Sequence, residues 1–211
     1  METDKVTKTG TTTLGIVCKD GVIIATETRA TMGNLIAHKE TKKLYKIDDH
    51  LALATAGLVG DLQTLARYLT AEANLYRLKR DAKMPVKSAA TLMSNIMNQR
   101  KFMPYYVQLV LVGFDNDGGH VYSLDAAGGA IPDKYTSGGS GSPFVYGVLE
   151  DHFRENMDTD DGIDLAIRAI HSAKSRDSAS GGMTNVAVVT KDGFKEIPQE
   201  EIKTRMEKIR K

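Results

Sequence analysis

Strand patterns and helix patterns occupy separate blocks along this chain of 211 residues. β-branched residues fill Thr11 to Cys18 and Val22 to Thr26 on either side of Asp20-Gly21, a strong hairpin signal. Apolar residues at helical spacing follow from Asp61 to Asp81 and from Val86 to Phe102. Further short strands are predicted at Asn34 to Ala37, Lys43 to Ile47 and Leu51 to Ala56, and Met84-Pro85 is predicted to separate the two helices.

The second half of the chain repeats this order. Strands are predicted at Val107 to Phe114 and His120 to Asp125, and the glycine-rich segment 128–142 is predicted as a loop with at most one short strand. A helix is predicted from Ser142-Pro143, with Ser142 as its N-cap, to about residue 156. A second helix after the acids at 158–161 should end at 180–182, and a hairpin over 185–197 and a charged amphipathic helix should close the chain.

This block order predicts the fold class α+β. Separate runs of strands and helices favour antiparallel sheets with helices packed outside them. Two sheets, each covered by a helix pair, would form a four-layer αββα sandwich. No composition shift divides the chain, so a single domain is expected after a polar leader over residues 1–10.

Charge and cysteine content exclude several classes of protein. Lys and Arg number 28 against 27 Asp and Glu, so the net charge of +1 argues against a nucleic-acid partner. One cysteine, Cys18, excludes a disulfide framework and suits a reducing cytoplasm, and within a strand pattern it is predicted to be a buried apolar residue. No apolar run reaches the roughly 18 residues of a membrane span, and no secretory signal is evident, so a cytoplasmic protein without a membrane partner is expected.

Common catalytic and cofactor motifs are absent from the sequence. It contains no CxxC, HExxH or Walker loop, and its five histidines lack ligand spacing, so no metal and no cofactor are expected. Residues 138–142, GGSGS, precede a predicted helix and could bind phosphate through backbone N–H groups. The Walker lysine does not follow, so a nucleotide-binding module is a weak alternative.

The Gly10-Thr11 bond joins the polar leader to the first strand pattern. Cleavage there would make Thr11 the N-terminus, with a nucleophilic hydroxyl and an α-amine on one residue. An α-amine has a pKa of about 7.7–8.0 and can act as a general base near neutral pH, without a histidine. The competing interpretation is structural, since threonine runs are common in strands.

Longer stretches make the chain similar to the proteasome beta-subunit family, of the archaeal type. They span most of the chain after the leader: 10–34 (GTTTLGIVCKDGVIIATETRATMGN), 42–47 (KKLYKI), 54–61 (ATAGLVGD), 123–129 (SLDAAGG), 139–150 (GSGSPFVYGVLE) and 176–189 (RDSASGGMTNVAVV). The resemblance implies the N-terminal nucleophile (Ntn) hydrolase fold and threonine endopeptidase activity without a cofactor. It also implies that residues 1–10 form a propeptide removed by autocleavage between Gly10 and Thr11, leaving one Ntn domain over 11–211.

The resemblance also implies roles for individual residues. Thr11 matches the nucleophile and Lys43 matches a lysine whose charge lowers the pKa values of the amine and the hydroxyl. Glu27 stands where many members have Asp and could pair with Lys43, and the nearby Arg29 matches a supporting basic residue. Ser140, Asp177 and Ser180 match residues that hydrogen-bond around the amine and the nucleophile, and the backbone N–H of Gly57 matches the oxyanion donor.

The same matching implies a substrate pocket and an assembly. Ala30, Thr41, Thr55 and Val59 would line the pocket for the residue before the cut, and because none is charged a preference for uncharged residues is expected. The implied partners are proteasome alpha subunits, with a homo-heptameric beta ring and two stacked beta rings between two heptameric alpha rings. An ATP-dependent regulatory unfoldase would deliver unfolded protein substrates.

Each site residue also has a purely structural interpretation. Lys43 and Glu27 could form an exposed ion pair, the two serines could be turn and cap residues, Gly57 could end a strand, and Asp177 could be a solvated acid. At the level of the whole chain, the alternatives are a catalytically silent structural beta subunit, another self-processing amidase, and the bacterial two-ring relative of the proteasome.

Overall fold

The computed structural model of the protein describes residues 10–209, so the predicted leader lies outside the described residues except for Gly10. The strands in chain order are β1 (Thr13–Cys18), β2 (Gly21–Glu27), β3 (Ala30–Met32), β4 (Leu35–His38), β5 (Leu44–Asp48), β6 (Leu51–Gly57), β7 (Val107–Asp115), β8 (Gly118–Leu124), β9 (Ala130–Asp133), β10 (Tyr135–Gly138), β11 (Thr184–Thr190) and β12 (Gly193–Glu196). The helices are α1 (Val59–Arg80), α2 (Val86–Gln99), α3 (Ser142–His152), α4 (Thr159–Arg176) and α5 (Gln199–Ile209).

Ten of these strands form two five-stranded antiparallel sheets. The first has the order β10-β1-β2-β11-β12, and the second follows the chain as β5-β6-β7-β8-β9. In the first sheet, β1 is an interior strand because it pairs with β2 through a tight hairpin and with the edge strand β10 on its other side. The register places Thr13 opposite Gly138 and Thr26, so the start of β1 lies beside the ends of β2 and β10.

Three apolar cores hold four layers together. Residues of α1 and α2 pack on the outer face of the second sheet, and residues of α3, α4 and α5 pack on the outer face of the first. Between the sheets lies a core of small and β-branched residues, among them Val22, Ile24, Ala54 and Val110. The two sheets pack face to face, and helices cover the outer face of each sheet. This arrangement buries the apolar residues of all three cores. The predicted four-layer αββα sandwich of class α+β is confirmed.

Two predictions of local structure were wrong. The glycine-rich segment 128–142 contains two strands, β9 and β10, because each adds to the edge of a sheet and gains backbone hydrogen bonds despite its weak strand propensity. Strand β3 was not predicted; it forms a hairpin with β4, which matches the strand predicted at Asn34 to Ala37, and the side chains of the hairpin are largely exposed. Exposure removes the apolar alternation that marks a half-buried strand, so no periodic pattern indicates β3.

Element ends near the first sheet differ slightly from prediction. Strand β1 begins at Thr13, which leaves Thr11 and Thr12 outside the ladder. Helix α3 has Gly141, not Ser142, as its N-cap and ends at His152. Helix α4 begins after Asp158, whose carboxylate accepts a hydrogen bond from the N–H of Asp161, as the acidic lead-in predicted. It ends at Arg176, with Asp177 as its C-cap, ahead of the predicted glycine stop.

Cys18 is buried at the end of β1, as predicted. Burial is the main reason why the pKa of its thiol rises to about 12, and Asp20 and Asp158 add to the effect. We expect the native protein at pH 8 to react with iodoacetamide at least about a hundredfold more slowly than the unfolded chain, because the thiolate is the reactive form. Mass spectrometry of timed samples with and without denaturant measures this ratio, and equal rates would contradict the buried position.

Over residues 10–209, the structure has no helix that is both long and apolar enough to cross a membrane.

Candidate active site

Thr11 lies just before β1 and is almost completely buried. Its side-chain hydroxyl donates a hydrogen bond of 2.6 Å to the carbonyl oxygen of Gly10, and its backbone N–H donates to Oγ of Ser140 at 3.2 Å. The hydroxyl is therefore beside the carbonyl group of the peptide bond at which cleavage was predicted. In this uncleaved form the nitrogen of Thr11 is an amide, so it cannot yet act as a base.

Gly10 occupies a space that no larger residue fits. A Cβ at this position would overlap the Cβ of Ala179 and would lie 2.9 Å from Oγ of Ser140. The backbone N–H of Gly10 donates to Oγ1 of Thr31 at 3.1 Å, which fixes the chain just ahead of the predicted cleavage site. Because Ala179, in the turn after α4, packs so closely against Gly10, only glycine fits before Thr11.

Asp177, at the end of α4, accepts hydrogen bonds from two serine hydroxyls. Its Oδ2 accepts from Ser140 and from Ser180, both at 2.6 Å, and its Oδ1 accepts from the N–H of Ala179 at 3.1 Å. Ser140 follows β10 and Ser180 follows α4, so Asp177 links two segments that are far apart in sequence. The connection from Asp177 through Ser140 reaches the nitrogen of Thr11. The three predicted residues are thus joined to one another and to Thr11.

Glu27 and Lys43 form a buried ion pair, so their interpretation as an exposed pair was wrong. The side chains are 0% and 3% exposed. Oε1 of Glu27 accepts from the ammonium group of Lys43 and from the N–H of Thr12, at 3.3 Å for the latter. Oε2 accepts from the N–H groups of Arg29 at 2.7 Å and Gly181 at 2.9 Å. Four donors satisfy the carboxylate, as a buried charge requires.

Lys43 is held tightly and its pKa is lowered. Burial disfavours the ammonium form and outweighs the opposing attraction of Glu27. The ammonium group also donates to the carbonyl oxygen of Arg29. The carbonyl oxygen of Lys43 accepts from the N–H of Thr55 at 3.0 Å, which ties the lysine to β6. A buried lysine with a lowered pKa beside a carboxylate can carry and return a proton more easily than a solvated one.

Arg29 holds the turn after α4 against the site. Its guanidinium donates to the carbonyl oxygen of Ser178 at 3.0 Å, and its backbone N–H donates to the carbonyl oxygen of Gly181 at 3.1 Å. Its side chain also fills the space that a side chain at Gly181 would need. These contacts fix the segment that carries Asp177 and Ser180, and the supporting role of Arg29 stays a prediction.

Gly57 and the predicted pocket residues lie on elements around this centre. Gly57 ends β6 with φ of +132°, where a Cβ would overlap the carbonyl oxygen of Tyr106, so glycine is required there. Thr55 is fully buried on β6, and its hydroxyl donates to the carbonyl oxygen of Lys43 at 3.2 Å. Val59 begins α1 and Ala30 begins β3. A cavity of about 470 Å³ nearby is lined by Thr41 but not by Ala30, Thr55 or Val59.

Sequence reasoning missed Thr12. Its side chain is fully buried, its N–H donates to Glu27, and its hydroxyl lies 2.6 Å from Oγ of Ser180. Ser180 is 168 residues further along the chain, so no local pattern could indicate the contact. Within a run of three threonines, Thr12 looks like an ordinary strand residue.

The seven predicted residues form two hydrogen-bonded groups: Thr11, Ser140, Asp177 and Ser180 make up one, and Glu27, Arg29 and Lys43 make up the other. Thr12 links the two groups, because its N–H donates to Glu27 and its hydroxyl contacts Ser180. A buried hydroxyl lies at a glycine peptide bond, and Asp177 is connected to the nitrogen of the same residue through Ser140. Glu27, which pairs with the buried Lys43, accepts from the N–H of the next residue, Thr12. This combination of groups is suited to nucleophilic attack on a carbonyl carbon by a threonine whose own nitrogen is kept in a defined position.

Comparison with known proteins identifies the family. A sequence model of the proteasome subunit family matches residues 7–189. The chain belongs to the proteasome subunit family. It is 57% identical to a proteasome subunit beta of Thermoplasma acidophilum over 203 residues, which are 96% of each chain. Similar relatives are the beta subunits of Picrophilus torridus, 54% identical over 98% of each chain, and Methanothermobacter thermautotrophicus, 52% identical over 98% of this chain and 99% of the relative.

Membership of this family confirms several predictions from the sequence. The chain is of the beta type, it has the fold of the Ntn hydrolases, and its class of activity is that of a threonine endopeptidase. The high identity over nearly the full length favours the archaeal type of proteasome over the bacterial two-ring relative.

Proposed function

We propose that this chain is a catalytic beta subunit of a proteasome core particle, with the hydroxyl of Thr11 as its nucleophile after cleavage of the Gly10–Thr11 bond. The observation that carries the proposal is the position of Thr11, whose hydroxyl lies 2.6 Å from the carbonyl oxygen of Gly10 and whose nitrogen is 3.2 Å from Ser140. Residues 1–10 are then a propeptide, and residues 11–211 form the mature Ntn domain.

Self-cleavage is the first reaction in this proposal. Oγ1 of Thr11 attacks the carbonyl carbon of Gly10, and the bond from that carbon to the nitrogen of Thr11 breaks as the nitrogen takes up a proton. The product is an ester between Gly10 and the Thr11 hydroxyl. Water hydrolyses this ester, which releases Gly10 as a carboxylate and leaves Thr11 with a free hydroxyl and a free amine.

Peptide hydrolysis uses the same atoms. The amine of Thr11 takes the hydroxyl proton while Oγ1 attacks the carbonyl carbon of the substrate, and the proton then passes to the leaving amine. The resulting acyl ester is hydrolysed by water, with the amine acting again as general base. Lys43 lowers the pKa values of the hydroxyl and the amine by its charge, and Glu27 keeps Lys43 in place.

Three side chains and one backbone group support these steps. Asp177 accepts hydrogen bonds from Ser140 and Ser180, and Ser140 accepts an N–H of Thr11, so the amine keeps its orientation. The N–H of Gly57 is the proposed donor to the oxyanion. Loss of one such donor in an enzyme typically costs about 3–4 kcal/mol of transition-state stabilisation.

A catalytically silent structural subunit is the alternative within the same family. The buried Glu27–Lys43 pair disfavours this alternative. The cost of desolvating two charges offsets most of their attraction, so a buried ion pair adds little net stability to the fold. A subunit with only a packing role has no need for such a pair against the residue that follows Thr11.

The proposed assembly follows from the family. Alpha subunits form heptameric rings, this chain forms a homo-heptameric beta ring, and two beta rings stack between two alpha rings in the cytoplasm. An ATP-dependent regulatory unfoldase delivers unfolded proteins, which are cut to peptides inside the chamber. The small net charge of the chain gives no support for a nucleic-acid partner.

Intact mass of the chain after co-expression with an alpha subunit, together with peptidase activity of the assembled particle, tests the proposal. Loss of the first ten residues and hydrolysis of peptides are expected. A chain that retains its leader in assembled particles and hydrolyses no peptide would instead favour the silent structural subunit.

Gly10→Ala is expected to slow leader removal by at least about tenfold. The added Cβ would overlap the Cβ of Ala179, so the peptide bond must shift away from the Thr11 hydroxyl. Intact mass at timed intervals during assembly measures the rate. Adding Ala179→Gly should recover part of the rate, and an unchanged rate in the single variant would contradict the close approach.

The mature particle is expected to cut after uncharged residues. Ala30, Thr41, Thr55 and Val59 carry no charge, so a charged side chain would lose its hydration without a partner. Fluorogenic peptides that differ only in the residue before the cut measure this preference, with an expected advantage of about tenfold or more for apolar over charged residues. Faster cleavage after Arg or Glu would show that these four residues do not define the pocket.

A further inference from the structure

Thr12 contacts the carboxylate of Glu27 directly and reaches that of Asp177 through Ser180. Its backbone N–H donates to Oε1 of Glu27 at 3.3 Å, the oxygen that also accepts from Lys43. Its hydroxyl lies 2.6 Å from Oγ of Ser180, which donates to Asp177 at 2.6 Å. Thr12 thus connects the Glu27–Lys43 pair with the hydroxyl cluster around Asp177.

The direction of each hydrogen bond around Ser180 follows from donor counting. An ionised carboxylate such as Asp177 only accepts, so Ser180 must use its single proton to donate to Asp177. The contact with Thr12 then requires the Thr12 hydroxyl to be the donor. Ser140 likewise uses its proton on Asp177 and is left to accept the N–H of Thr11. Ser140 Oγ also lies 3.5 Å from the carbonyl oxygen of Thr11, but its bond to Asp177 is far shorter, at 2.6 Å. A single orientation of all three hydroxyls therefore satisfies the short contacts.

The position of the Thr12 hydroxyl is restricted by the surrounding backbone. Thr12 and Ser180 are both fully buried. A Cβ on Gly141, the N-cap of α3, would overlap Oγ1 of Thr12 and lie 3.2 Å from Oγ of Ser180. The missing side chain at Gly141 therefore provides the space in which the two hydroxyls meet.

We propose that Thr12 is a positioning residue for the Thr11 amine, acting through Ser180, Asp177 and Ser140. This inference rests on the proposed function of Thr11. Donation by Thr12 makes Ser180 a stronger donor to Asp177, since hydrogen bonds in a chain polarise one another. Asp177 then attracts the Ser140 proton less strongly, so Ser140 is a weaker acceptor for the ammonium form of Thr11. The Thr12 hydroxyl thereby favours the neutral amine, which is the base in the reaction.

Thr12→Ala and Thr12→Ser, each in the particle assembled with alpha subunits, separate the hydroxyl from the rest of the side chain. Thr12→Ala should lower kcat by about three- to tenfold with little change in KM. The acid limb of its pH profile of kcat/KM should move to higher pH, because the ammonium form of Thr11 gains stability. Thr12→Ser keeps the hydroxyl and should stay within about twofold of the wild type, with the acid limb unmoved.

Two further variants control for packing. Thr13→Ala makes the same change one residue later, where the hydroxyl donates to the carbonyl oxygen of Gly138 and not to the Asp177 cluster, and it should leave the acid limb in place. Gly141→Ala should reproduce the Thr12→Ala phenotype by displacing the hydroxyl. It also carries the test if Thr12→Ala does not assemble, and an unmoved acid limb in Gly141→Ala would then overturn the proposal.

Other results would also overturn it. One is an equal loss of kcat in Thr12→Ala and Thr12→Ser. The other is a loss of kcat in Thr12→Ala while the acid limb of its pH profile of kcat/KM stays where it is in the wild type. If the proposed function of Thr11 is itself wrong, Thr11→Ala will remain active. If Thr11→Ala is inactive while Thr12→Ala is fully active, only the role of Thr12 is contradicted.

Discussion

Thr11→Ala is expected to lower peptidase activity by at least about four orders of magnitude and to leave the leader attached. The substitution removes the only group proposed to form a bond with the carbonyl carbon, and loss of a nucleophile removes covalent catalysis altogether. Both reactions depend on the same hydroxyl, which lies 2.6 Å from the carbonyl oxygen of Gly10. Initial rates with a fluorogenic peptide and intact mass of the assembled particle measure the two effects.

Two matched variants isolate the hydroxyl of Thr11. Thr11→Ser keeps the hydroxyl and should retain leader removal and measurable peptidase activity. Thr13→Ala removes a hydroxyl of the same type two residues later, whose bond to the carbonyl oxygen of Gly138 is 3.3 Å, and it should retain both reactions. Leader removal by Thr11→Ala at the wild-type rate would mean that another group cuts the Gly10–Thr11 bond, and the nucleophile would have to be assigned elsewhere.

The layers of this fold could be predicted from the sequence because each helix and most strands carry a periodic apolar pattern. Helices α2 and α4 bury apolar residues at spacings of three and four, and β6 is buried along its length. The exceptions lack this signal for physical reasons. Strand β10 has four residues and no apolar alternation, and it exists because β1 offers it an open edge. The hairpin β3–β4 buries only Thr31.

The residues of the site could be predicted only through similarity to a family. Thr11, Ser140 and Asp177 come from three distant parts of the chain and meet because β1 pairs with β10 and α4 packs on the first sheet. A single sequence contains no record of that pairing. For the same reason Thr12 escaped notice, since its role depends on Ser180 and on the space left by Gly141.

Lys43→Met is expected to reduce both stability and activity, and a second substitution separates the two effects. The free energy of unfolding should fall by about 3–5 kcal/mol, because Glu27 is left as a buried charge without its cation. Activity should fall by at least about a hundredfold, since the pKa values of the Thr11 hydroxyl and amine are no longer lowered by a nearby charge. Urea unfolding of the isolated chain and peptide hydrolysis by the assembled particle measure the two changes.

Adding Glu27→Gln to Lys43→Met removes the unpaired charge, so it should restore part of the stability but none of the activity. Lys46→Met provides the surface control three residues away. Lys46 pairs with Asp49 at 2.7 Å, but the two side chains are 48% and 58% exposed, so its loss should cost less than about 1 kcal/mol and leave activity unchanged. Recovery of activity in the double variant would mean that Lys43 serves only to neutralise Glu27.

The pH dependence of stability gives an independent measure of the environment of Lys43. Burial lowers its pKa in the folded protein, whereas the unfolded chain has an ordinary lysine pKa of about 10.4. In the alkaline window between these two pKa values the unfolded chain binds more protons, so this residue makes the free energy of unfolding rise with pH. The difference in stability between the wild type and Lys43→Met should therefore widen as the pH approaches 10. A difference that stays constant or narrows would show that Glu27 outweighs burial and holds the lysine in its charged form.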